Sequence, residues 1–164
     1  MKLINLFLFL FLLGCVSCKS PEENIPNESI QIIPLPNSYE LKPGSFCMTG
    51  QTTIGIDTSD PAMVALAEYF NEKTSDATGF SLPVGDSGTI VFQLGDYKEL
   101  GEEGYQLSVS SGKLVLSAYR HHGIFNGIQS VLQLLPPEIK SKTVQPQKTW
   151  YINCVEITDK PQFA

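Results

Sequence analysis

Charge is scarce in this chain. Asp, Glu, Lys and Arg make up 17% of its 164 residues, below the usual quarter. Basic residues are scarcer still: 11 Lys+Arg stand against 17 Asp+Glu, a net charge of −6. A nucleic-acid binder carries the opposite sign and a basic stripe, and no Lys/Arg-rich block occurs here. The two histidines, His121 and His122, are adjacent. Neighbours on a helix point about 100° apart, so they do not form a two-ligand face. No His-Glu-x-x-His motif accompanies them, and no metal or cofactor is expected. No apolar run approaches the ~20 residues of a bilayer span. The 13 glycines and 11 prolines follow no period of three, which excludes collagen.

What is present suits one packed domain with appendages. Hydrophobic residues reach 42% and aromatics 10%, enough for a core. At the N-terminus, Lys2 precedes the apolar run Leu3–Leu13, which is interrupted once, by Asn5. Such a basic residue, apolar core and following Cys read as a lipoprotein signal peptide over residues 1–17. Cys18 is the expected lipidation site, with Cys15 as the alternative. Neither is followed by Asp, so outer-membrane attachment is expected, with the lipid as the sole membrane contact. Residues 18–29 include Lys-Ser-Pro-Glu-Glu-Asn-Ile-Pro-Asn-Glu-Ser. They carry almost nothing to bury and read as a tether. Export permits a Cys47–Cys154 disulfide. The strong burial preference of the thiol favours two separately buried free cysteines instead.

The folded part is expected over residues 30–157. Ile30–Pro36 reads as an extended edge segment, because Pro34 and Pro36 cannot join the middle of a sheet. Phe46–Thr49 and Thr52–Ile56 read as short strands around Gly50-Gln51. Asp60-Pro61 opens a helix whose stripe is Met63, Leu66, Ala67 and Phe70, ending at Gly79. Thr89–Leu94 reads as a buried strand. Tyr105, Leu107 and Val109, then Leu114, Leu116 and Ala118, alternate around a Ser/Gly turn and form a hairpin. A second helix runs from about His122 to Leu135, stopped by Pro136-Pro137. Trp150–Ile152 and Val155–Ile157 make the last strand. The expected class is α+β: a mainly antiparallel sheet of about five or six strands with two helices on one face.

The second helix is the informative element. Ile124, Ile128, Val131, Leu132 and Leu135 form its apolar stripe. Asn126, Gln129, Ser130 and Gln133 fill the other side, and no charge occurs from Gly123 to Leu135. A solvent-facing back would carry Lys or Glu. An uncharged polar back points to a helix covered on both sides, so these four residues are the expected domain-docking face. Glu102-Glu103 and Ser110-Ser111 read as turns rather than catalytic groups. Trp150-Tyr151 reads mainly as a strand burying its aromatics, with a sugar-stacking contact as the alternative.

Four segments together carry a resemblance. They are Ile32-Ile33-Pro34-Leu35-Pro36 with Gly44-Ser45-Phe46; Glu103-Gly104-Tyr105-Gln106-Leu107-Ser108-Val109; Gly123 to Leu135 with Pro136; and Val155 to Phe163. In order and spacing they resemble the N-terminal domain of bacterial β-N-acetylhexosaminidases of glycoside hydrolase family 20. The resemblance covers about residues 30–164. It implies a (β/α)8 barrel following this domain, with the two helices between sheet and barrel. It also implies that chemistry resides in that barrel, where the acetamido oxygen of the glycan substrate attacks the anomeric carbon. An Asp-Glu pair orients the acetamide and supplies the acid/base. This sequence contains no Asp-Glu dipeptide. Gln162 stands inside the tripeptide where the family has Pro-Arg-Phe, and the sequence stops at Ala164. The expectation is a truncated, non-catalytic front of an exported hexosaminidase, with residues 158–164 beginning the barrel connection and no catalytic residue of its own. The competing reading is a stand-alone surface lipoprotein that binds glycan or a protein partner, with Trp150 and Tyr151 as contacts.

Overall fold

The computed structural model describes residues 30–160. The expected signal peptide at 1–17, the expected tether at 18–29, the expected lipidation site Cys18 with its alternative Cys15, and residues 161–164 of the expected barrel connection lie outside the described residues. The elements run β1 (Ser38–Met48), β2 (Ile54–Gly55), α1 (Pro61–Thr78), β3 (Val84–Gly85), β4 (Ile90–Leu94), β5 (Tyr105–Ser110), β6 (Lys113–Ala118), α2 (His121–Leu134) and β7 (Trp150–Asp159). Short 3-10 turns occupy Lys98–Leu100 and Pro137–Lys140.

Seven strands form one sheet in the order β1-β7-β5-β6-β4-β2-β3. The pairs β1–β7, β7–β5 and β5–β6 are antiparallel, whereas β6–β4, β4–β2 and β2–β3 are parallel. The α+β class holds. The strand count exceeds the expected five or six, and the sheet is mixed. The expected strand Thr52–Ile56 contains β2, reduced to Ile54–Gly55. The strand missed in the sequence is β3, whose two residues are too few to alternate, together with the outer half of β1. In the first half of β1, at the sheet edge, Leu41 alone is partly buried, and an irregularity follows between Leu41 and Ser45. Edge strands carry such breaks, here with Pro43, to avoid further pairing.

The helices form where local chemistry dictates. Asp60 caps α1 by accepting from the amides of Ala62 (2.9 Å) and Met63 (3.3 Å), and Pro61 takes the first helical position. Gly79 closes the helix in the left-handed region (φ 72°), its N–H returning to Ser75 O. Met63, Ala67, Phe70, Thr74 and Ala77 are buried along one stripe. Phe70 meets Phe92 of β4 edge-on, with centroids 5.8 Å apart. Asn71 grips the return loop at both ends of its amide, donating to Leu82 O and accepting from Leu82 N, each at 2.9 Å.

Helix α2 lies across β4, β5, β6 and β7, with α1 packed beside it. Its approach to the sheet is unusually close because Gly123 and Gly127 face the strands. A Cβ built on Gly123 would fall on the carbonyl oxygen of Gly104 and lie 2.7 Å from the Ala118 methyl. One built on Gly127 would enter the Leu116 side chain. Ile124, Ile128 and Val131 are fully buried around them.

The β5–β6 hairpin pairs Ser110 with Lys113 and Tyr105 with Ala118. Its buried side chains are the alternating set expected. Tyr105 is buried, and its hydroxyl lies 2.6 Å from Ser130 Oγ of α2. Burial pushes the Tyr105 pKa above its ordinary value of 10, against the opposing effect of the Ser130 hydrogen bond. The folded state therefore holds this proton more tightly than the unfolded chain. Its contribution is fully present below about pH 10 and is lost as pH rises from there through the folded-state pKa. Tyr105→Phe should weaken that alkaline loss. At neutral pH it should cost about 1 kcal/mol through the lost hydroxyl pair. Denaturant melts at pH 7 and above pH 10, compared with the parent chain, check both expectations.

The cysteines correct one expectation. Both Cys47 and Cys154 are free, but only Cys154 is buried, and Cys47 is exposed on the edge strand. Burial raises the Cys154 thiol pKa, so it stays protonated and inert. Edge placement explains Cys47: the inner neighbours Phe46 and Met48 take the buried positions.

Candidate domain-docking face

The outer side of α2 and the adjoining side of α1 form a surface without charged residues on α2 beyond its first turn. Asn126, Gln129 and Gln133 lie along it, each partly exposed. Each is anchored by one end of its amide. Asn126 Nδ2 donates to Glu103 O at 2.9 Å, and Gln129 Nε2 donates to Tyr69 Oη at 3.1 Å. Gln133 Oε1 accepts from Ile33 N at 3.0 Å. The other end of each amide, Asn126 Oδ1, Gln129 Oε1 and Gln133 Nε2, takes no protein partner among the described residues. The row thus presents two acceptors and one donor in fixed positions, ready for complementary groups on a covering surface.

An aromatic pair sits in the middle of that row. Phe125 is 41% exposed, and its ring centroid lies 5.4 Å from that of Tyr69 on α1. Lys73 Nζ stands 5.0 Å from the Tyr69 ring centroid. Aromatics backed by fixed polar groups are the composition of interface centres. Tyr69 was not legible as a member of this face, because it falls among Glu68, Asn71 and Glu72 on what reads as a solvated side.

Ser130 sits elsewhere. It is buried under the helix against Tyr105, with its hydroxyl also 3.4 Å from Asn126 O. The structure brings Asn126, Gln129 and Gln133 onto one surface and turns Ser130 into the core. The signal that could have found this is Tyr105 itself. A tyrosine in the buried phase of a strand needs a partner for its hydroxyl.

The two aromatics of β7 also diverge. Trp150 is 2% exposed and pairs in register with Met48. Tyr151 is 46% exposed and borders a groove of about 460 Å³ between β7, Ile30–Ile33 and the C-terminal end of α2. They do not make a common platform.

At the opposite end of the helices, His121 Nε2 lies 2.7 Å from Asp60 Oδ2, joining the two helix starts. That hydrogen bond, helped by the Ala62 and Met63 amides, holds the Asp60 carboxyl below its usual range against partial desolvation. Asp57, Asp60 and Asp86 line a cleft of about 470 Å³ at the carboxyl ends of β2 and β4. All three serve local structure: Asp57 accepts from Ser59, Asp86 from Thr58, and Asp60 from α1 and His121. No group of three His, Cys, Asp or Glu side chains is placed to hold a metal among the described residues. No helix among them is long and apolar enough to cross a membrane.

A mixed seven-stranded sheet packed against two helices defines an α+β domain, and α2 carries no Asp, Glu, Lys or Arg. The sequence profile of glycosyl hydrolase family 20, domain 2, matches residues 29–160. The chain belongs to that family, as its non-catalytic N-terminal domain. It is 30% identical over 160 residues to a beta-hexosaminidase of Porphyromonas gingivalis, a match covering 93% of this chain and 20% of that protein. Among solved structures, it is similar to the N-acetyl-beta-hexosaminidase of Streptomyces plicatus in complex with Thio-NAglucal, with a TM-score of 0.76 at 30% identity. It is likewise similar to the GH20 beta-N-acetylhexosaminidase of Streptomyces coelicolor, with a TM-score of 0.77 at 29% identity. Both structural matches cover 82% of this chain and 27% of the other. The chain thus spans a fifth of the curated relative and about a quarter of the solved enzymes.

Proposed function

We propose that this domain braces the catalytic (β/α)8 barrel of an exported β-N-acetylhexosaminidase, which removes terminal N-acetylhexosamine from glycans. The observation that carries the reading is the outer face of α2. Three half-committed amides, Asn126, Gln129 and Gln133, flank an exposed Phe125, with no charge among them. Solvent gives no reason for this composition, whereas a covering protein surface does. The sequence holds no Asp-Glu dipeptide, so the barrel supplies the general acid and the acetamide-orienting carboxylate. Lipidation at Cys18, or Cys15, would hold the assembly at the outer membrane.

The test has two arms. The purified chain should show no turnover of an aryl N-acetylglucosaminide, and clear turnover would overturn the scaffold assignment. Titration with the barrel of the Porphyromonas relative, made without its own counterpart domain, should show saturable binding. Phe125→Asp should weaken it at least tenfold, about 1.4 kcal/mol. Unchanged binding by a folded Phe125→Asp chain would move the docking face elsewhere. A second reading, a glycan-binding surface lipoprotein, draws on the exposure of Tyr151 beside the groove. It requires sugar binding by the isolated chain that Tyr151→Ala abolishes.

A further inference from the structure

The most exposed large apolar residues among the described residues are Ile33 (85%) and Leu35 (62%). Ile32 and Pro36 on either side are buried, so Ile33-Pro34-Leu35 stands out as a ridge on fixed roots. Hydrogen bonds hold it in place. Ile33 N donates to Gln133 Oε1 at 3.0 Å, Asn37 N donates to Asp159 Oδ1 at 3.1 Å, and Lys160 N donates to Asn37 Oδ1 at 2.6 Å. The first bond joins the ridge to α2. Phe125, Gln129 and Gln133 are spaced four apart on that helix and share one face, so the ridge continues their row. The other two bonds set its far side next to Lys160, at the end of β7. Pro34 and Pro36 lack amide donors, which suits the ridge to side-chain contact rather than to strand pairing. Bare apolar side chains on a fixed backbone, beside a half-committed polar row, mark a contact surface.

We propose that Ile33 and Leu35 are a second anchor of the docking face, seated in an apolar recess of the (β/α)8 barrel. This rests on the barrel reading above and adds to it the place and chemistry of a further contact. Two features favour the barrel over a second copy or a membrane surface. The ridge is joined to the uncharged row through Gln133, so one covering body reaches both. It is also fastened beside Lys160, where the match to domain 2 of the family ends, so in an enzyme of this family the next unit starts next to the ridge. Phe125 and Gln133 are about 12 Å apart along the helix axis. Contact at one end of that row would leave the barrel free to pivot, whereas contact at both ends fixes its angle.

Titration with the barrel of the Porphyromonas relative, its fold checked by circular dichroism, tests the anchor, with Ile33→Asp and Leu35→Asp run beside Phe125→Asp. Both ridge side chains are exposed, so urea melts of their variants should match the parent, and each variant should weaken barrel binding at least tenfold. A lowered melt would show the side chain serving the domain's own packing and count against the anchor. Weakening below tenfold in either ridge variant, while Phe125→Asp exceeds tenfold, overturns the anchor and leaves the docking face standing. Parental binding in all three variants, or no binding by the parent chain, overturns the barrel reading and the anchor together. Sedimentation and vesicle flotation of the parent chain cover the other occupants. A dimer, or retention on phosphatidylglycerol vesicles, that Ile33→Asp abolishes would give the ridge to a second copy or to lipid and overturn the assignment.

Discussion

Replacing Gly123 by alanine is expected to lower the melting temperature by roughly 8 °C. In an exposed helix this substitution stabilises by up to about 1 kcal/mol, because glycine is the poorer helix former. Here the sign reverses. The added methyl meets the Gly104 carbonyl oxygen and the Ala118 methyl, and both belong to backbone or to a fully buried strand position. Neither can turn aside as the end of a long side chain could. Overpacking of this kind costs about 1–3 kcal/mol, occasionally more, and from the upper end of that range about 2 kcal/mol remains after the propensity gain is subtracted. For a domain of this size, about 2 kcal/mol corresponds to the shift given. Gly127→Ala meets only the Leu116 side chain and should cost less. Gly85→Ala, with open space around it, should stay within about 0.5 kcal/mol. Thermal melts followed by far-UV circular dichroism give the order. A Gly123→Ala chain as stable as the parent would mean that α2 does not rest on the sheet as described.

Trp150→Ala should be larger still, at about 3–5 kcal/mol, the range for removing a buried large aromatic. Trp150 is 2% exposed, with the buried Met48 opposite it in register. Tyr151→Ala, one residue away and half exposed, should cost less than about 1 kcal/mol. The contrast bears on function. Were Trp150 a sugar contact, its alanine variant would fold normally and lose only binding. Its burial instead predicts that it loses stability. Urea melts followed by circular dichroism separate the outcomes, since Trp150 is the only tryptophan and its fluorescence vanishes with it.

Sequence and structure agree where local chemistry is strong. The Asp60-Pro61 start and Gly79 stop of α1, the β5–β6 hairpin and the Pro136-Pro137 stop of α2 all follow from caps, turns or period. Agreement fails where only tertiary context decides. Two-residue strands such as Val84–Gly85 exist because β2 already lies beside them. The outer half of β1 carries Tyr39, Glu40 and Lys42, which give no alternation. Gly123 and Gly127 carry no periodic signal in the sequence, yet they set the distance of α2 from the sheet. Of the candidate docking face, the uncharged back of α2 was legible as a composition. That Ser130 turns inward, and that Tyr69 of α1 joins the outer row, depends on how two helices lean together.

The fastening of Asn37 to Asp159 and Lys160 has a mechanical consequence. It brings the outer ends of β1 and β7 to one corner, so a pull applied at Asn37 and Lys160 meets the edge pair end-on. Under such tension the bonds would break in succession, like a zip, instead of sharing the load in shear. The module would yield at low force from its β1 edge, leaving α2 and the strands beneath it intact until that edge had peeled away.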